Sequence, residues 1–436
     1  MVAADTIFAL SSGRLPAGVA VVRLSGPDVR FAIETLFGKV PVPNTLSYGS
    51  VTSPDGDLID RGLVVFFEGP RSFTGEDCGE FHVHGGSAVV QLLFDSLAKL
   101  NNVRPAEAGE FSRRAFMNGK IDLTQAEGLA DLIAAETEGQ RRLALRQAHG
   151  IVQQYYEDWR SALVRARSLA EASIDFSDED DVSATALDEA AAIVESLADE
   201  MRCHLSGYRS AEIVRDGYSV VILGAPNSGK STLINAFAGR EVAIATEEAG
   251  TTRDLIDVRL DLGGNLVIVT DTAGIRDDAG MVESIGISRA IEKAKQADLI
   301  LLLEDATFPF PINVPVAGVS VLRVGNKADL VAERIDGYDC LISASSGRGI
   351  AALLDRISAL AASRVAGVEL FALQDRHRRL IASCLGEMEL FTSTASSADL
   401  AAEHLRRACE LLGRLTGRID VEEVLGEIFS RFCIGK

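Results

Sequence analysis

GAPNSGKS, at residues 224–231, is the stretch that decides the fold of the second half of this chain. It matches the pattern G-x-x-x-x-G-K-[ST], it follows an apolar run at residues 218–223, and the segment STLINAFAG after its lysine predicts a helix. In a strand, glycine-rich loop and helix that follow in this order, the loop binds phosphates. Three more strings follow, which are GTTRD at 250–254, DTAG at 271–274 and NKAD at 326–329. Four such strings in one order predict a binding site for a guanine nucleotide.

The first and third strings supply contacts to phosphate and metal. Gly224 and Gly229 carry no Cβ, so the backbone N–H groups around them can turn toward phosphate oxygens. Lys230 places a positive charge on the β- and γ-phosphates, and Ser231 offers a hydroxyl ligand to Mg²⁺. The helix that follows adds the positive end of its dipole. Asp271 ends the run LVIVT, at a strand tip suited to holding Mg²⁺ through water.

The later strings are expected to select the base. A carboxylate at Asp329 accepts hydrogen bonds from N1–H and the 2-amino group of guanine, and adenine has neither donor there. Asn326 and Lys327 are expected to brace the base and its loop. Ser343 and Ala344 follow the strand-like segment CLIS, where a backbone N–H can meet guanine O6.

The chain departs from Ras-type GTPases directly after DTAG. Those proteins carry a glutamine that orients the attacking water, and this chain has Ile275, which cannot. Either GTP is hydrolysed poorly or another group does this work. Asn227 is either a ligand for a monovalent cation or a loop residue that stabilises a turn. Glu283 is either an acid that swings in to orient water or a solvated acid at a helix start.

The composition limits the class of protein. At 436 residues the chain is too long for one hydrophobic core, and about three domains are expected. A net charge of −20 argues against gripping nucleic acid through bulk electrostatics, so contact with RNA would need a local patch or a partner. Six scattered cysteines without a C-x-x-C pair argue against a disulfide framework or zinc site. With no membrane-spanning apolar run and no signal-peptide pattern, these features predict a cytoplasmic protein.

The order of elements predicts a multidomain protein with α/β and all-α parts. Residues 1–118 form a small α/β domain, and residues 119–211 and 370–436 are helical. Between them, residues 212–369 alternate strands with helices, as the doubly wound sheet of a Ras-like P-loop GTPase requires. The simplest assembly is one helical domain in two parts with the nucleotide domain inserted, because the two ends of a compact insert can lie close together.

Local patterns refine this prediction. Residues 19–26, 63–69 and 81–86 read as strands, and residues 88–100 have apolar side chains at helical spacing. Thr124 and Glu127 match a T-x-x-E capping box that would begin the first helix of the helical domain.

Several strings resemble the MnmE (also TrmE) family of tRNA modification GTPases. The phosphate loop, GTTRD, and DTAG followed by an apolar residue fit several bacterial GTPases. More specific are SFTGED at 72–77, HGG at 84–86, AGEF at 108–111, KIDLTQAE at 120–127 and the terminal CIGK at 433–436. The resemblance therefore runs essentially from end to end.

The resemblance implies a GTP hydrolase that acts with a flavoprotein partner, MnmG (GidA), on C5 of the wobble uridine of certain tRNAs. The products are aminomethyl or carboxymethylaminomethyl forms, and the one-carbon unit comes from a tetrahydrofolate in its 5-formyl or methylene form. The first domain is implied to bind this folate and to form a homodimer, which joins MnmG in a heterotetramer. The family's folate-contacting positions correspond to Arg23, Glu80, Lys120 and Lys436. Arginine and lysine suit the glutamate-tail carboxylates or the chain's own terminus, and Glu80 suits the N–H donors of a pterin.

The resemblance also implies that K⁺ stimulates hydrolysis. Asn227 matches the side-chain ligand, and Thr246, Glu248 and Thr251 match the loop that folds over the cation. Glu248 departs from the family, which often has an apolar residue there, and fits only if its backbone carbonyl makes the contact. A K⁺ ion beside the phosphates supplies the positive charge that an arginine finger supplies elsewhere. Pairing of two nucleotide domains across a dimer would then order this loop and drive a domain motion.

The same resemblance assigns the remaining metal and catalytic contacts. Thr252 matches a second Mg²⁺ contact beside Ser231, and Glu283 matches the acid that orients water, so the predicted catalytic residues are Glu283, Lys230 and Asn227. The predicted nucleotide contacts are Asn227, Ser228, Gly229, Lys230, Ser231, Thr232, Thr246, Glu247, Glu248, Ala249, Gly250, Thr251, Thr252, Asp271, Thr272, Ala273, Gly274, Asn326, Lys327, Asp329, Ser343 and Ala344.

Three side chains keep two interpretations each. Cys433 either serves chemistry near the folate or packs as a small apolar residue of a terminal helix. His82 and His84 would face the same side of a strand, as zinc ligands can, but without a third ligand in view packing or a polar contact is favoured.

Two other functions remain as alternatives to tRNA modification. A GTP-dependent ribosome-assembly switch, with no chemistry of its own, fits the nucleotide motifs alone, but such factors usually append a basic RNA-binding domain. A folate-dependent one-carbon transferase fits the first domain, although the inserted GTPase would then be superfluous. The strings in the first domain and the terminal CIGK favour the tRNA-modifying enzyme.

Overall fold

A computed structural model describes residues 5–175, 180–244, 257–271, 292–308, 318–331, 336–365, 374–394, 397–419, 422–430, 432 and 434–435. Contacts divide the chain into two compact units. The first consists of residues 1–130, 148–190 and 387–436, and the second of residues 131–147 and 191–386. In the described part of the chain, no helix is long and apolar enough to cross a bilayer.

The first unit contains an α/β layer built on one sheet. Its elements are β1 (Thr6–Leu10), β2 (Ala17–Ser25), α1 (Val29–Phe37), β3 (Ser47–Thr52), β4 (Leu58–Phe67), β5 (Cys78–Gly85), α2 (Ser87–Ala98), β6 (Val103–Pro105) and α3 (Glu110–Met117). The six strands described there lie in the order β3-β4-β5-β2-β1-β6, and the β1–β6 pair is parallel while the other pairs are antiparallel. The strands predicted at 19–26, 63–69 and 81–86 and the helix predicted at 88–100 are confirmed as β2, β4, β5 and α2.

Side-chain alternation places the core of this unit on one face of the sheet. Ala20, Val22 and Leu24 of β2 are fully buried and pack in one apolar cluster with side chains of α1 and α2. The residues between them point to the opposite face, because successive side chains of a strand alternate. That opposite face carries Arg23, which is directly paired with Glu80 of β5.

Five helices follow the first sheet in the sequence. They are α4 (Leu123–Ala134), α5 (Glu138–Ala148), α6 (Ile151–Asp175), α7 (Asp180–Ser206) and α8 (Tyr208–Asp216). In the second unit, the first turn of α5 contacts the tip of a hairpin through a 2.9 Å hydrogen bond from Gly139 N to Gly264 O. A Cβ on Gly139 would lie 2.6 Å from that oxygen, so the contact requires glycine.

The predicted capping box at Thr124 and Glu127 is wrong, because the box forms two residues earlier. Asp122 Oδ1 accepts from Gln125 N at 2.8 Å, and Gln125 Oε1 accepts from Asp122 N at 3.0 Å. Asp122 therefore caps a helix that begins at Leu123, and Thr124 and Glu127 lie buried inside it. Aspartate is as good an N-cap as threonine, and the earlier start buries Leu123 in an apolar cluster.

Asp122 also predicts a pH dependence of stability. Burial raises the pKa of Asp122 to about 6, helped by nearby Glu127 and opposed by the cap hydrogen bonds. In the unfolded chain this carboxyl titrates near pH ~3.9. Between pH ~4 and ~6 the folded state therefore holds a proton that the unfolded state has released, so the free energy of unfolding falls as pH rises through this window.

Asp122→Asn keeps the cap acceptor and cannot ionise. From pH 4 to pH 7.5, its free energy of unfolding should improve relative to the unmodified protein by about 1–3 kcal/mol. Urea unfolding at several pH values measures this change, and exposed Asp188 supplies the control variant Asp188→Asn. A difference that stays constant with pH would contradict the raised pKa.

The second unit is built around a mostly parallel sheet. Its elements are β7 (Tyr218–Leu223), α9 (Lys230–Ala238), β8 (Asp257–Leu262), β9 (Asn265–Asp271), β10 (Leu299–Asp305), β11 (Ser320–Asn326), β12 (Cys340–Leu341) and α10 (Ile350–Val365). The described strands lie in the order β12-β11-β10-β7-β9-β8, and all pairs are parallel except β8–β9. After β7 the chain forms the edge strand β8 and then β9, which lies beside β7 on one side. It later returns as β10 on the other side of β7. The carboxyl end of β7 is thus the switch point at which such sheets bind ligands.

The last helices are α11 (Asp375–Ser393), α12 (Ala398–Thr416) and α13 (Glu422–Ser430). In the first unit α12 packs along α6, with Tyr156 and Trp159 of α6 and Leu405 and Leu412 of α12 buried. Tyr156 and Trp159 are three residues apart, and Leu405 and Leu412 are seven apart. Both are spacings of residues on one helix face.

Candidate functional site

The phosphate loop connects β7 to α9 and packs closely against β10 and Asn326. A Cβ on Gly224 would lie 2.3 Å from Leu303 O of β10, so only glycine fits. Gly229 has a φ of +96°, and a Cβ there would lie 2.3 Å from Asn326 Nδ2. Asn227, between them, has a left-handed φ of 64° and is exposed. The loop conformation therefore depends on the two glycines that the motif supplies.

Lys230, the first residue of α9, folds back over this loop. Its Nζ donates to Gly224 O at 2.9 Å and to Ala225 O at 3.0 Å. Burial lowers the pKa of Lys230, while the charge of Asp271 opposes the shift. A phosphate would offer this ammonium an anionic partner in place of two carbonyl dipoles, so the side chain is already positioned at the loop it would serve.

Two oxygen ligands suited to Mg²⁺ lie at the same edge of the sheet. Ser231 Oγ is 3.2 Å from Asp271 Oδ2. Asp271 ends β9 and is 1% exposed, whereas Ser231 is exposed at the start of α9. A hydroxyl and a carboxylate are hard oxygen ligands of the kind Mg²⁺ prefers, and Mg²⁺ held there would neutralise charge on the β- and γ-phosphates.

Asn326 joins the base loop to two other loops. Its Nδ2 donates to Ser228 O at 2.8 Å, and its Oδ1 accepts from Ala344 N at 3.0 Å. Asn326 is 3% exposed, so these bonds are shielded from water. The phosphate loop, the NKAD loop and the 343–344 loop are thereby held in one arrangement.

Asp329 lies exposed on the same loop as Asn326. The backbone beside it is fixed by hydrogen bonds from Ala328 N to Ile342 O at 2.9 Å and from Leu330 N to Lys327 O at 3.0 Å. Lys327 has a φ of 64° and its Nζ lies 2.5 Å from Asp305 Oδ2. The carboxylate of Asp329 is therefore presented to solvent from a rigid turn, as recognition of a base edge requires.

In the first unit, Arg23 and Glu80 form a half-buried ion pair across β2 and β5. Arg23 Nε donates to Glu80 Oε1 at 3.0 Å, and the two side chains are 22% and 15% exposed. The guanidinium lies 5.8 Å from the ring centre of Phe73 and 6.0 Å from that of Phe111. Phe111 is fully buried and Phe73 is exposed, so a flat heterocycle bound at this charged pair could contact the Phe73 ring.

Lys120 packs against the loop at residues 72–77, which contains Phe73. Its Nζ donates to Pro70 O at 2.9 Å, and a Cβ on Gly75 would lie 3.2 Å from Lys120 Cγ. One loop thus contacts Lys120 through its glycine and Arg23 through its phenylalanine.

The C-terminal tail lies against the start of the same sheet. Ser11 Oγ donates to Gly435 O at 2.9 Å, and Ile434 forms a bridge with Ala108. A Cβ on Gly435 would lie 2.2 Å from Leu10 O, so the tail requires glycine there. Gly435 therefore lies beside β1, the neighbour of the β2 strand that carries Arg23.

The two histidines of β5 bind carboxylates. His82 Nε2 lies 3.1 Å from Glu80 Oε2, and His84 Nδ1 lies 3.0 Å from both oxygens of Asp60. Within the described residues, no cluster of three or more His, Cys, Asp or Glu side chains is arranged to hold a metal. The polar-contact interpretation of the pair is confirmed.

Comparison with known proteins decides the family. The family described as MnmE helical domain matches residues 123–433, and the GTP-binding protein TrmE N-terminus matches residues 6–120. The tRNA modification GTPase MnmE of Brucella anthropi is 52% identical over 434 residues, covering 99% of this chain and 98% of the relative. The chain belongs to the MnmE family of tRNA modification GTPases. The Brucella melitensis MnmE is 49% identical over the same shares of both chains.

Solved structures similar to this chain include two GTP-binding proteins. Era from Aquifex aeolicus is 25% identical, with 33% of this chain and 56% of that chain covered and a TM-score of 0.27. The FeoB G-domain of Methanococcus jannaschii is 24% identical, with 33% and 97% covered and a TM-score of 0.24. The P-loop GTPase fold of the MnmE-family chain follows from its own strand order and phosphate loop.

Several residues predicted from the MnmE family lie outside the described residues. They are Thr246, Glu247, Glu248, Ala249, Gly250, Thr251, Thr252, Thr272, Ala273, Gly274, Glu283, Cys433 and Lys436. The described members fall into two groups, one around the phosphate and base loops of the second unit and one around Arg23 and Glu80 in the first.

One contact in the MnmE-type first unit escaped the sequence analysis. His82 bonds the second carboxylate oxygen of Glu80, whereas the sequence analysis favoured packing or a polar contact for this histidine without naming a partner. The signal was available, because Glu80 and His82 are two apart on a strand and must face the same side.

Proposed function

We propose that this chain, with a flavoprotein of the MnmG (GidA) type, modifies C5 of the wobble uridine of certain tRNAs in the cytoplasm. A tetrahydrofolate in its 5-formyl or methylene form supplies the one-carbon unit, and the products are aminomethyl or carboxymethylaminomethyl uridines. The proposal extends the family's tRNA modification activity to a substrate position and a cofactor.

The observation that carries the proposal is the Arg23–Glu80 pair. It lies on the face of the sheet opposite the α1–α2 core and is partly exposed, with exposed Phe73 and buried Phe111 beside it. A folate has an aromatic pterin with N–H donors at one end and carboxylates at the other. Glu80 suits the first, and Arg23, Lys120 and Lys436 suit the second.

The proposed division of labour has three domains. Folate binding and homodimerisation belong to residues 1–118, and GTP binding to residues 212–369. Residues 119–211 and 370–436 are the helical domain of this proposal, although contacts divide these helical segments between the two units. The dimer and the flavoprotein make a heterotetramer in this proposal.

The described residues of the nucleotide site divide its tasks in this proposal. Lys230 and the loop N–H groups hold the phosphates, Ser231 and Asp271 hold Mg²⁺, and Asp329 selects guanine. Asn227, exposed on the loop, contributes its amide oxygen to a K⁺ ion beside the phosphates. That ion supplies the positive charge that an arginine finger supplies in other GTPases.

Nucleoside mass analysis of tRNA tests the proposed function. A strain lacking this protein should lose aminomethyl-type groups from its wobble uridines, and a plasmid copy should restore them. If the deletion strain kept the wild-type level of wobble-uridine modification and had altered ribosomal subunit profiles, the result would instead support the ribosome-assembly switch.

Exchange of K⁺ for Na⁺ should slow GTP hydrolysis by about 10-fold or more, since a misplaced charge at the phosphates loses transition-state stabilisation. Na⁺ is smaller and cannot meet ligands spaced for K⁺. Steady-state phosphate release in matched chloride salts measures the effect, and Asn227→Ala should abolish the difference between the salts. Equal rates for the unmodified protein in both salts would remove Asn227 from the mechanism.

A further inference from the structure

Glu80 is held by one donor on each carboxylate oxygen. Arg23 Nε bonds Oε1 at 3.0 Å, and His82 Nε2 bonds Oε2 at 3.1 Å. Each oxygen of a carboxylate can accept a second hydrogen bond. The two remaining acceptor positions, one per oxygen, match a ligand edge with two adjacent N–H donors.

The strand register explains why His82 occupies this position. On β5, Glu80 and His82 are two residues apart and half-buried, and they share the face of the sheet opposite the α1–α2 core. Arg23 of β2 lies opposite Glu80, while His82 lies between Val21 of β2 and Leu63 of β4. Two apolar neighbours limit the ring's freedom, so its preferred polar contact is along its own strand.

Other described charged groups on the elements around this pair have their own partners. Arg114 of α3 pairs with Glu76 at 3.2 Å and with Glu110 at 3.0 Å, and Lys120 donates to Pro70 O. Asp60 of β4 accepts from the ring and backbone of His84. Arg61 is exposed on β4, opposite Ser50 of β3. The charged groups that contact the Glu80 carboxylate directly are therefore Arg23 and His82.

We propose that His82 is a positioning residue, which orients the Glu80 carboxylate toward the amino-pyrimidinone edge of a pterin. This inference rests on the folate site assigned above to Arg23 and Glu80. An arginine on one oxygen alone leaves the carboxylate free to rotate about its last torsion. A second donor on the other oxygen fixes the plane of the group, and with it the direction of both free acceptor positions.

His82 also affects the charge of Glu80. Its hydrogen bond lowers the pKa of Glu80, burial acts in the opposite direction, and Arg23 adds a further lowering. An ionised carboxylate accepts hydrogen bonds on both oxygens, whereas a protonated one has turned one of them into a donor. The histidine therefore favours the form that can accept two N–H groups.

The test compares His82→Leu, His82→Gln and Glu80→Gln in the full-length protein, with 5-formyl-tetrahydrofolate as the probe and calorimetry as the readout. At pH 7.5, His82→Leu should weaken binding about 10-fold, and His82→Gln, which keeps a donor, should stay within about 3-fold of the unmodified protein. His84→Leu is the matched control, since it removes a histidine of the same strand that bonds Asp60, and it should leave the affinity unchanged.

A pH series separates positioning from simple packing. Loss of the His82 bond lets the pKa of Glu80 rise, and binding disappears as pH falls through that pKa. Between pH 6.5 and 4.5 the affinity of His82→Leu should therefore fall more steeply than that of the unmodified protein. In a Glu80→Gln background, His82→Leu should add no further loss.

The outcomes distinguish the two levels of the proposal. Full folate affinity in Glu80→Gln would overturn the folate site itself. Weakened binding in Glu80→Gln with unchanged affinity and pH profile in His82→Leu would overturn the role of His82 and leave the site standing. Equal losses in His82→Leu and His82→Gln, with parallel pH profiles, would also overturn the positioning role.

Discussion

Replacement of Asp329 by asparagine is expected to convert the site from guanine to xanthine recognition. A carboxylate accepts from both N1–H and the 2-amino group, whereas an asparagine amide meets that amino group with its own N–H donors. The lost charged hydrogen bond and the facing donors should reduce GTP affinity by about 100-fold or more. Xanthine has a carbonyl at position 2, which the new amide can donate to, so the affinity for xanthosine triphosphate should rise.

Competition against a fluorescent GDP analogue measures both affinities. Asp336→Asn is the control, because Asp336 is an exposed aspartate of the same unit that follows the base loop in sequence. Asp329 is exposed on a turn fixed by its neighbours' backbone, so its substitution should leave the fold intact. GTP affinity that matches the unmodified protein would refute the base-selector role.

Lys230→Ala is expected to lower the rate of GTP hydrolysis by about 1,000-fold, which is the scale of losing a cation that stabilises charge on the phosphates. The side chain already lies over the phosphate loop, bound to Gly224 O and Ala225 O. Those carbonyls lie at the mouth of the loop and can bind water in the variant, so the expected loss lies in nucleotide binding and turnover.

Single-turnover hydrolysis and nucleotide affinity should be measured together, with Lys295→Ala as the control at an exposed lysine of the same unit. A far-UV circular dichroism spectrum confirms that the variant is folded. A rate within 10-fold of the unmodified protein, at saturating GTP, would show that Lys230 does not stabilise the reacting phosphates.

Three of the four strings could be placed in the fold from the sequence, because each begins at or directly after the last residue of a strand of one sheet. Residues 218–223 are β7, Asp271 ends β9 and Asn326 ends β11. The carboxyl ends of parallel strands meet at one edge, so residues about a hundred positions apart converge without further information. Asn326 links the base loop to Ser228 and Ala344 through hydrogen bonds, and its role toward the base stays a prediction.

The first unit was harder to predict because its contacts depend on antiparallel register. Arg23 and Glu80 are 57 residues apart, and nothing local in either segment indicates that they face each other. A register shift of one residue in either strand would turn that strand's side chain to the opposite face and separate the pair. Only the resemblance to a family drew attention to these residues, and it did not include His82.

Helix starts show a third limit. Asp122 with Gln125 and Thr124 with Glu127 both fit a capping pattern, and their intrinsic preferences differ little. Burial of Leu123 in the cluster around Phe429 selects the earlier start. The competing patterns are local, whereas the contact that decides between them is with a helix some 300 residues later in the sequence.

The amino-acid sequence by itself determined the P-loop GTPase fold and the family, because these follow from short strings, several of them at the ends of strands. Tertiary structure alone decided which donors hold Glu80, where the α4 helix begins and that Gly435 lies against Ser11, 424 residues away. The physical reason is that a loop after a strand inherits its place from the sheet edge. A side-chain pair or a docked tail depends instead on register and packing between segments that carry no mutual signal.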